Sequence, residues 1–301
     1  MELRVLKYFL SVARNENISK AAEELHLTQP TLSRQLSELE DELGTKLFVR
    51  GKRRTTLTEE GIFLKERARE IVALADKTVA QFLQTEENIA GEIYIGCGET
   101  AAMQEVIRVL AALRQSYPHI LFHIFSGNEE SITDMLQKGL VDFGVVCRGH
   151  VPAEYVYLEL PHRDRWGLLL NCRSHLAEKE SISREDLLQE PLVISRQHTA
   201  GSQLEHWLKY PLGDLNIVAT YNLLYNAAFF AQENMAGVLC LEDIVEDEGS
   251  KFPDVVFRPL TPQIFSSNYL IWRKNQVFSR AARIVLAGFE AAFGEESDVN
   301  L

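Results

Sequence analysis

Residues 19–44 run Ser19-Lys20-Ala21-Ala22-Glu23-Glu24-Leu25-His26-Leu27-Thr28-Gln29-Pro30-Thr31-Leu32-Ser33-Arg34-Gln35-Leu36-Ser37-Glu38-Leu39-Glu40-Asp41-Glu42-Leu43-Gly44. Ser19 suits an N-cap, and a helix follows through Ala21, Ala22 and Leu25. His26-Leu27-Thr28 leaves room only for a tight turn. Another helix opens at Thr28-Gln29-Pro30, where proline is tolerated because its missing N–H has no partner in a first turn. Leu32, Leu36, Leu39 and Leu43 recur at helical spacing, and Gly44 suits a C-terminal stop. Upstream, Leu3, Leu6, Leu10 and Ala13 repeat at the same spacing and predict a preceding helix. Two short helices joined by a tight turn predict a helix-turn-helix.

The polar face of the third helix is divided. Gln29, Thr31, Ser33 and Arg34 lie in its first half beside Pro30, and Glu38, Glu40, Asp41 and Glu42 in its second. Acids repel phosphates, so only the first half can approach a duplex, led by the positive end of the helix dipole. A recognition helix enters the major groove in that way. Gln can pair with adenine and Arg with guanine through two bonds; Ser and Thr read either. Such a face also suits an ordinary solvated three-helix core. The next segment favours DNA. Lys46–Arg50 is strand-like, Arg50-Gly51-Lys52-Arg53-Arg54 makes a basic tip, and Thr55–Thr58 returns as a second strand. A basic hairpin directly after a recognition helix is a wing. Arg50, Lys52, Arg53 and Arg54 are expected to hold the neighbouring backbone or minor groove, positioning the protein without reading much sequence.

Charge follows the same division. The 301 residues carry 31 Lys and Arg against 43 Asp and Glu, a net of −12. Residues 1–58 hold 10 of these bases and 8 of the acids, a net of +2, which leaves −14 on residues 59–301. A basic module fused to a larger acidic one suggests a polyanion partner for the first part only. A long helix begins at Thr58 and is expected to reach about Thr85. Its Leu64, Ala68, Ile71, Ala75, Thr78 and Phe82 alternate by four and three, the seam of a coiled coil, which predicts a dimerising linker.

The chain resembles the LysR-type transcriptional regulators. The resemblance rests on Phe9-Leu10-Ser11-Val12-Ala13, on Ser19 to Leu25, on Thr28 to Leu36 and on Leu39 to Gly44. It ends on Leu47-Phe48-Val49-Arg50 and Leu57-Thr58-Glu59-Glu60-Gly61, covering about the first 60 residues. It implies a winged helix-turn-helix (1–58), a linker helix (59–89) and an α/β effector domain like periplasmic binding proteins (90–301). The effector domain would have two lobes, one of about 90–148 and 267–301, the other about 152–265. The resemblance also implies a homo-oligomer, dimer or tetramer, on a double-stranded operator, with RNA polymerase as a further partner.

The acidic part alternates strand-like and helix-like runs. Gly91–Gly96, Ile120–Phe125 and Leu140–Val146 read as strands, with helices at Met103–Arg114, where Val106, Ile107 and Leu110 share a side, and at Ile132–Lys138. Trp166–Leu170, Leu192–Ser195, Ile217–Ala219, Gly237–Leu241 and Asn268–Trp272 read as later strands, and Ser279–Phe293 as a closing helix. This alternation predicts a mostly parallel sheet. Ligands of such sheets bind beyond the carboxyl ends of the strands. The resemblance places effector contacts at Thr100, Ser126, Val146 and the loop around Arg196, and His198 in that loop adds a further cation. Hydroxyls and helix N-termini there suit a small carboxylate.

A rival reading is a winged-helix NADH sensor. Gly96-Cys97-Gly98-Glu99-Thr100-Ala101 fits a dinucleotide fingerprint ending in alanine, but Glu129 lies farther along than the expected acid. Small residues shared by strand-to-helix turns explain it more simply. Catalysis is not expected: Ser195 lacks a nucleophile elbow, and no P-loop or zinc-protease motif occurs. Cys97, Cys147, Cys172 and Cys240 form no CxxC pair and the eight histidines are scattered, so neither metal nor cofactor is expected. No apolar run reaches a membrane span, and Met1-Glu2-Leu3-Arg4-Val5 lacks a signal-peptide layout. The expected location is cytoplasmic.

Overall fold

The computed structural model describes residues 1–51, 54–82, 89–147, 151–196, 203–242 and 252–294. These fall into two compact units, residues 1–83 and 84–301.

In the first unit α1 (Leu3–Asn15) buries Val5, Leu6, Phe9 and Val12. It stops at Glu16, which adopts a left-handed φ of 51°. α2 (Ile18–Glu24) is capped by Asn17, whose side chain accepts from the Lys20 amide, not by Ser19. Both residue types cap well, so composition alone does not choose between them. α3 (Gln29–Leu43) begins as expected, with Thr28 accepting from the Thr31 amide, and ends at Gly44 with φ 67°. β1 (Phe48–Arg50) and β2 (Thr55–Leu57) pair antiparallel, Phe48 against Leu57 and Arg50 against Thr55. The Gly51 amide donates to the Arg54 carbonyl and closes the hairpin, while the Thr55 amide ties it to the Glu16 carbonyl. α4 (Glu59–Phe82) follows; Thr58 caps it by accepting from the Gly61 amide at 2.9 Å. Gly61 lets this helix approach the wing, because a Cβ there would lie 2.1 Å from the Leu47 carbonyl oxygen. Leu32, Leu36, Leu39, Leu47, Phe48, Leu64 and Ala68 join the α1 residues in one core.

The second unit opens with β3 (Gly91–Cys97), α5 (Met103–Ser116), β4 (Ile120–Ser126), α6 (Glu129–Gln137) and β5 (Phe143–Cys147). β6 (Tyr155–Asn171) is followed by α7 (Arg184–Gln189), β7 (Leu192–Ser195), α8 (Gln203–Leu208) and β8 (Ile217–Tyr221). α9 (Leu224–Gln232), β9 (Gly237–Leu241), β10 (Val255–Pro259), β11 (Phe265–Arg273) and α10 (Arg280–Phe293) complete it. The strands form one sheet in the order β4-β3-β5-β11-β6-β9-β7-β8, with β10 also on β6.

The sheet is mixed where a mostly parallel one is expected. β3 is parallel to β4 and β5, and β7 to β8 and β9, but β6 and β11 run antiparallel to each other and to β9 and β5 respectively. The reason is that β6 and β11 each pass through both lobes, in opposite directions. β6 has 17 residues, far more than the Trp166–Leu170 run predicts. Its Tyr155–Leu160 half pairs with Asn268–Arg273 of β11, and Leu160, Leu270 and Trp272 share the core of β3, α5 and α10. Trp166, Leu168 and Leu170 belong to the other core, with Ile194, Leu239 and Ile264. Residues 155–160 are therefore part of the first lobe, and the crossing falls at 161–165 rather than near 152. α6 begins three residues earlier than its apolar pattern indicates, because Asn128 caps it. Ile107, expected beside Val106 and Leu110 in the core, is 45% exposed.

Candidate nucleic-acid interface and effector cavity

The first half of α3 buries Leu32 in the core and turns its polar side chains away from it. Gln29, Pro30, Thr31 and Arg34 are exposed and Ser33 is half-buried. Arg34 donates through Nε to Glu38 Oε1 at 2.8 Å, one turn further on, with its side chain 80% exposed. An exposed pair of this kind contributes well under about 1 kcal/mol, so it yields easily to a stronger partner. The acidic half behaves differently from its sequence reading. Glu40, expected on the solvated face, is 3% exposed. Its Oε1 accepts from the Leu47 and Phe48 amides at 2.9 and 3.2 Å, and its Oε2 from Lys46 Nζ at 2.9 Å. Burial alone would raise its carboxyl, but these donors outweigh burial and hold it below the usual carboxylate range. Glu40 thus fastens the start of the hairpin to α3. Arg54 at the wing is paired with Glu16. Arg50 lies at the end of β1, while Lys52 and Arg53 fall outside the described residues.

Between the lobes of the second unit lies a cavity. The first lobe contributes Gly98, Glu99, Gly127, Glu129, Ile132, Val146 and Cys147; the second contributes Trp166, Ser195, Tyr221, Asn222, Leu223, Leu224 and Leu241. Cys147, Ser195, Tyr221 and Leu241 are the last residues of β5, β7, β8 and β9. Carboxyl ends of strands converge there, as the general rule for open α/β sheets requires. Glu99 Oε2 reaches across and accepts from the Leu224 amide, the first residue of α9, whose own N-cap Leu223 offers no side-chain cap.

Of the expected effector contacts, only Val146 lines this space among the described residues. The Thr100 hydroxyl is buried, donating to Asp164 Oδ2 at 2.7 Å and accepting from the Ala102 amide at 3.1 Å. Ser126 is exposed at the end of β4, bonded to the Cys97 thiol. Arg196 is exposed, its amide donating to the Tyr221 carbonyl, and His198 lies outside the described residues. Trp166 and Tyr221 were not legible as wall residues, because only the sheet order brings β6 and β8 to this cleft. The signal that finds Tyr221 is its place at a strand's carboxyl end.

Two groups of the wall are held in their protonated forms. The Cys147 thiol is pushed up to about 12, by burial first and then by the Asp164 carboxylate, with Glu129 adding to it against a bond from Ser266. A thiol so held is no nucleophile near neutral pH. The Tyr221 hydroxyl donates to the Leu239 carbonyl, and burial pushes its ionisation well above the ordinary range, with Cys240 and Glu99 contributing. The dinucleotide rival gains nothing here. The turn that would cradle a pyrophosphate is capped by Thr100, and its Glu99 is turned to α9.

Comparison with known proteins gives the family of both units. The model of the bacterial regulatory helix-turn-helix protein, lysR family, matches residues 3–62, and that of the LysR substrate binding domain matches residues 86–293. The chain belongs to the LysR family. It is a DNA-binding transcriptional regulator with a substrate-binding effector domain. The regulator BsdA of Bacillus subtilis strain 168 is 36% identical over 146 residues, 48% of this chain and 50% of that protein. YvbU of the same organism is 25% identical over 299 residues, 98% of this LysR-family chain and all of its relative. Among solved structures, full-length CbnR with its target DNA superposes with a TM-score of 0.74 at 20% identity, covering 98% of this chain and 99% of that one. At that identity the likeness is one of fold. Among the described residues no helix is long and apolar enough to cross a membrane.

Proposed function

We propose that this regulator reads a two-fold operator with the first half of α3. Gln29, Thr31, Ser33 and Arg34 face base edges, Pro30 sets the entry of the helix, and Arg50, Lys52, Arg53 and Arg54 hold phosphates. The observation that carries this reading is the exposure of Gln29, Pro30, Thr31 and Arg34 together, next to a two-stranded wing. Two copies joined through α4, alone or as a tetramer, supply two such helices, which a two-fold site requires. The protein acts in the cytoplasm and touches RNA polymerase when it activates. A small effector held between the lobes, at Val146 and near Arg196 and His198, shifts the lobes' relation and through it the spacing or bend of the bound operator.

The test is a binding titration on operator and random duplex over a range of salt. Arg34→Ala should lose about 1–3 kcal/mol on the operator and relax base choice at one position. Arg53→Ala should weaken all sequences alike and reduce the salt slope by about one. Operator binding left untouched by Arg34→Ala removes α3 from the major groove.

A further inference from the structure

α1 stops at Glu16, whose backbone is left-handed with φ 51°. Glycine adopts that region freely, whereas a Cβ is crowded there. Two bonds leave this residue for the wing. Its carbonyl accepts from the Thr55 amide at 2.8 Å, and its carboxylate is paired with Arg54 Nη2. The Arg54 carbonyl in turn accepts from the Gly51 amide at 2.9 Å. The chain entering β2 is thus tied to the turn between α1 and α2 through main chain and side chain together.

Only the side-chain bond needs a glutamate. Glycine would make the carbonyl bond without crowding. Nor does the pair offset the crowding in stability: the Glu16 and Arg54 side chains are 43% and 64% exposed, and ion pairs so open to water contribute little. What the carboxylate does is fix one end of a long, flexible cation. The guanidinium is a planar fork of donors; with Nη2 on Glu16, the others ride on a side chain that faces solvent. The bond to Arg54 holds the Glu16 carboxyl below its usual range against some desolvation, and the charges of Arg54 and of Lys65 on α4 add to this. Two bases therefore balance the acid, which weakens its repulsion of an approaching duplex.

We infer that Glu16 is a positioning residue of the wing, holding the Arg54 guanidinium where a phosphate of the bound duplex meets it. This rests on the proposed role of Arg54 as a phosphate contact. An arginine already held in place loses less side-chain freedom when the phosphate arrives, so more of the contact is realised as affinity.

The test is an anisotropy titration of the full-length protein on a fluorescein-labelled random-sequence duplex across a range of salt, since a phosphate contact acts on every sequence. Arg54→Ala should weaken binding about fivefold to tenfold and lower the salt slope by about one. Glu16→Gly should bring most of the same loss while its thermal midpoint holds or rises, because glycine suits a left-handed φ. Added to Arg54→Ala, it should cause no further loss. Glu16→Gln, whose amide oxygen can still accept from Arg54, should recover part of the affinity. Unchanged or tighter binding by Glu16→Gly, beside a weakened Arg54→Ala, overturns the positioning role and leaves Arg54 on the duplex. A full further loss in the Arg54→Ala background, or a midpoint that falls together with affinity, overturns it too, because Glu16 would then act on the fold at large. Native binding by Arg54→Ala removes Arg54 from the phosphates, and this inference with it.

Discussion

Glu40 illustrates how one residue can change roles between pattern and structure. It sits among acids on α3, yet it lies four residues after Leu36 and so on the margin of the buried stripe. The strand that follows folds over it and supplies two amides. Replacing it with Ala leaves both amides buried without an acceptor, at a cost of about 1–3 kcal/mol. Thermal denaturation of Glu40→Ala should show a lower midpoint, with Glu40→Gln between it and the native protein. The pH dependence has a definite sign. Its folded ionisation lies below that of an unfolded glutamate, which is about 4.3. Its contribution is therefore complete above that value and is lost as pH falls through the lower folded one. Removing Glu40 should flatten the acid limb of the stability curve and leave neutral pH behaviour otherwise unaltered. The thiols give a second prediction at this scale. Cys172 is exposed, Cys97 and Cys240 are buried, and Cys147 is held near 12. A maleimide at pH 7.5 should label Cys172 alone in the native protein, as mass spectrometry of the digest would show; rapid labelling of Cys147 would contradict the burial of its thiol.

At the scale of elements, most of the first unit was legible because local chemistry and packing agree there. Leu32, Leu36 and Leu39 point inward, Thr28 caps, Gly44 stops the helix, and the hairpin turns where the bases cluster. The cap of α2 was not, since Asn17 and Ser19 are equally suited. The long helix was legible in existence but not in the use of its faces. Leu64 and Ala68, the first members of the expected seam, are spent on the unit's own core. Phe63, Ile71 and Leu74 remain 66%, 41% and 44% exposed on an adjacent side, with Thr78 exposed between turns. Phe82 lies beyond the residues whose side chains are described. A helix this long with such a stripe loses apolar burial unless something covers it. If a second α4 does so, Ile71→Glu with Leu74→Glu should halve the mass seen by light scattering and weaken operator binding by more than tenfold, because half-sites would then be bound singly. An unchanged mass would move the dimer contact elsewhere.

At the scale of the effector domain, the α/β alternation was legible, but not its long crossing strands. Tyr155–Asn171 carries the polar run Pro161, His162, Arg163, Asp164 and Arg165, and the sequence pattern shows a strand only from Trp166 to Leu170. In the structure this is the stretch where β6 leaves one lobe for the other, and its polarity serves the crossing. Asp164 accepts from Thr100 and from Asn268 Nδ2, both at 2.7 Å, and has His162 Nε2 at 3.3 Å. Asn268 stands at the register shift of β11. One buried carboxylate therefore joins both crossing strands and the turn that carries Glu99. Thr100 is bonded to this carboxylate and does not line the cavity. Thr100→Val removes a donor from a buried carboxylate while keeping shape, so the ligand-free protein should lose about 1–3 kcal/mol of stability. Thr100→Ser, which restores the hydroxyl, should recover most of it. A direct ligand contact would behave otherwise: the ligand-free midpoint would stay put and only effector affinity would fall. Calorimetric scans of the three proteins without ligand decide between the two, and an unshifted midpoint in Thr100→Val would return Thr100 to the binding surface.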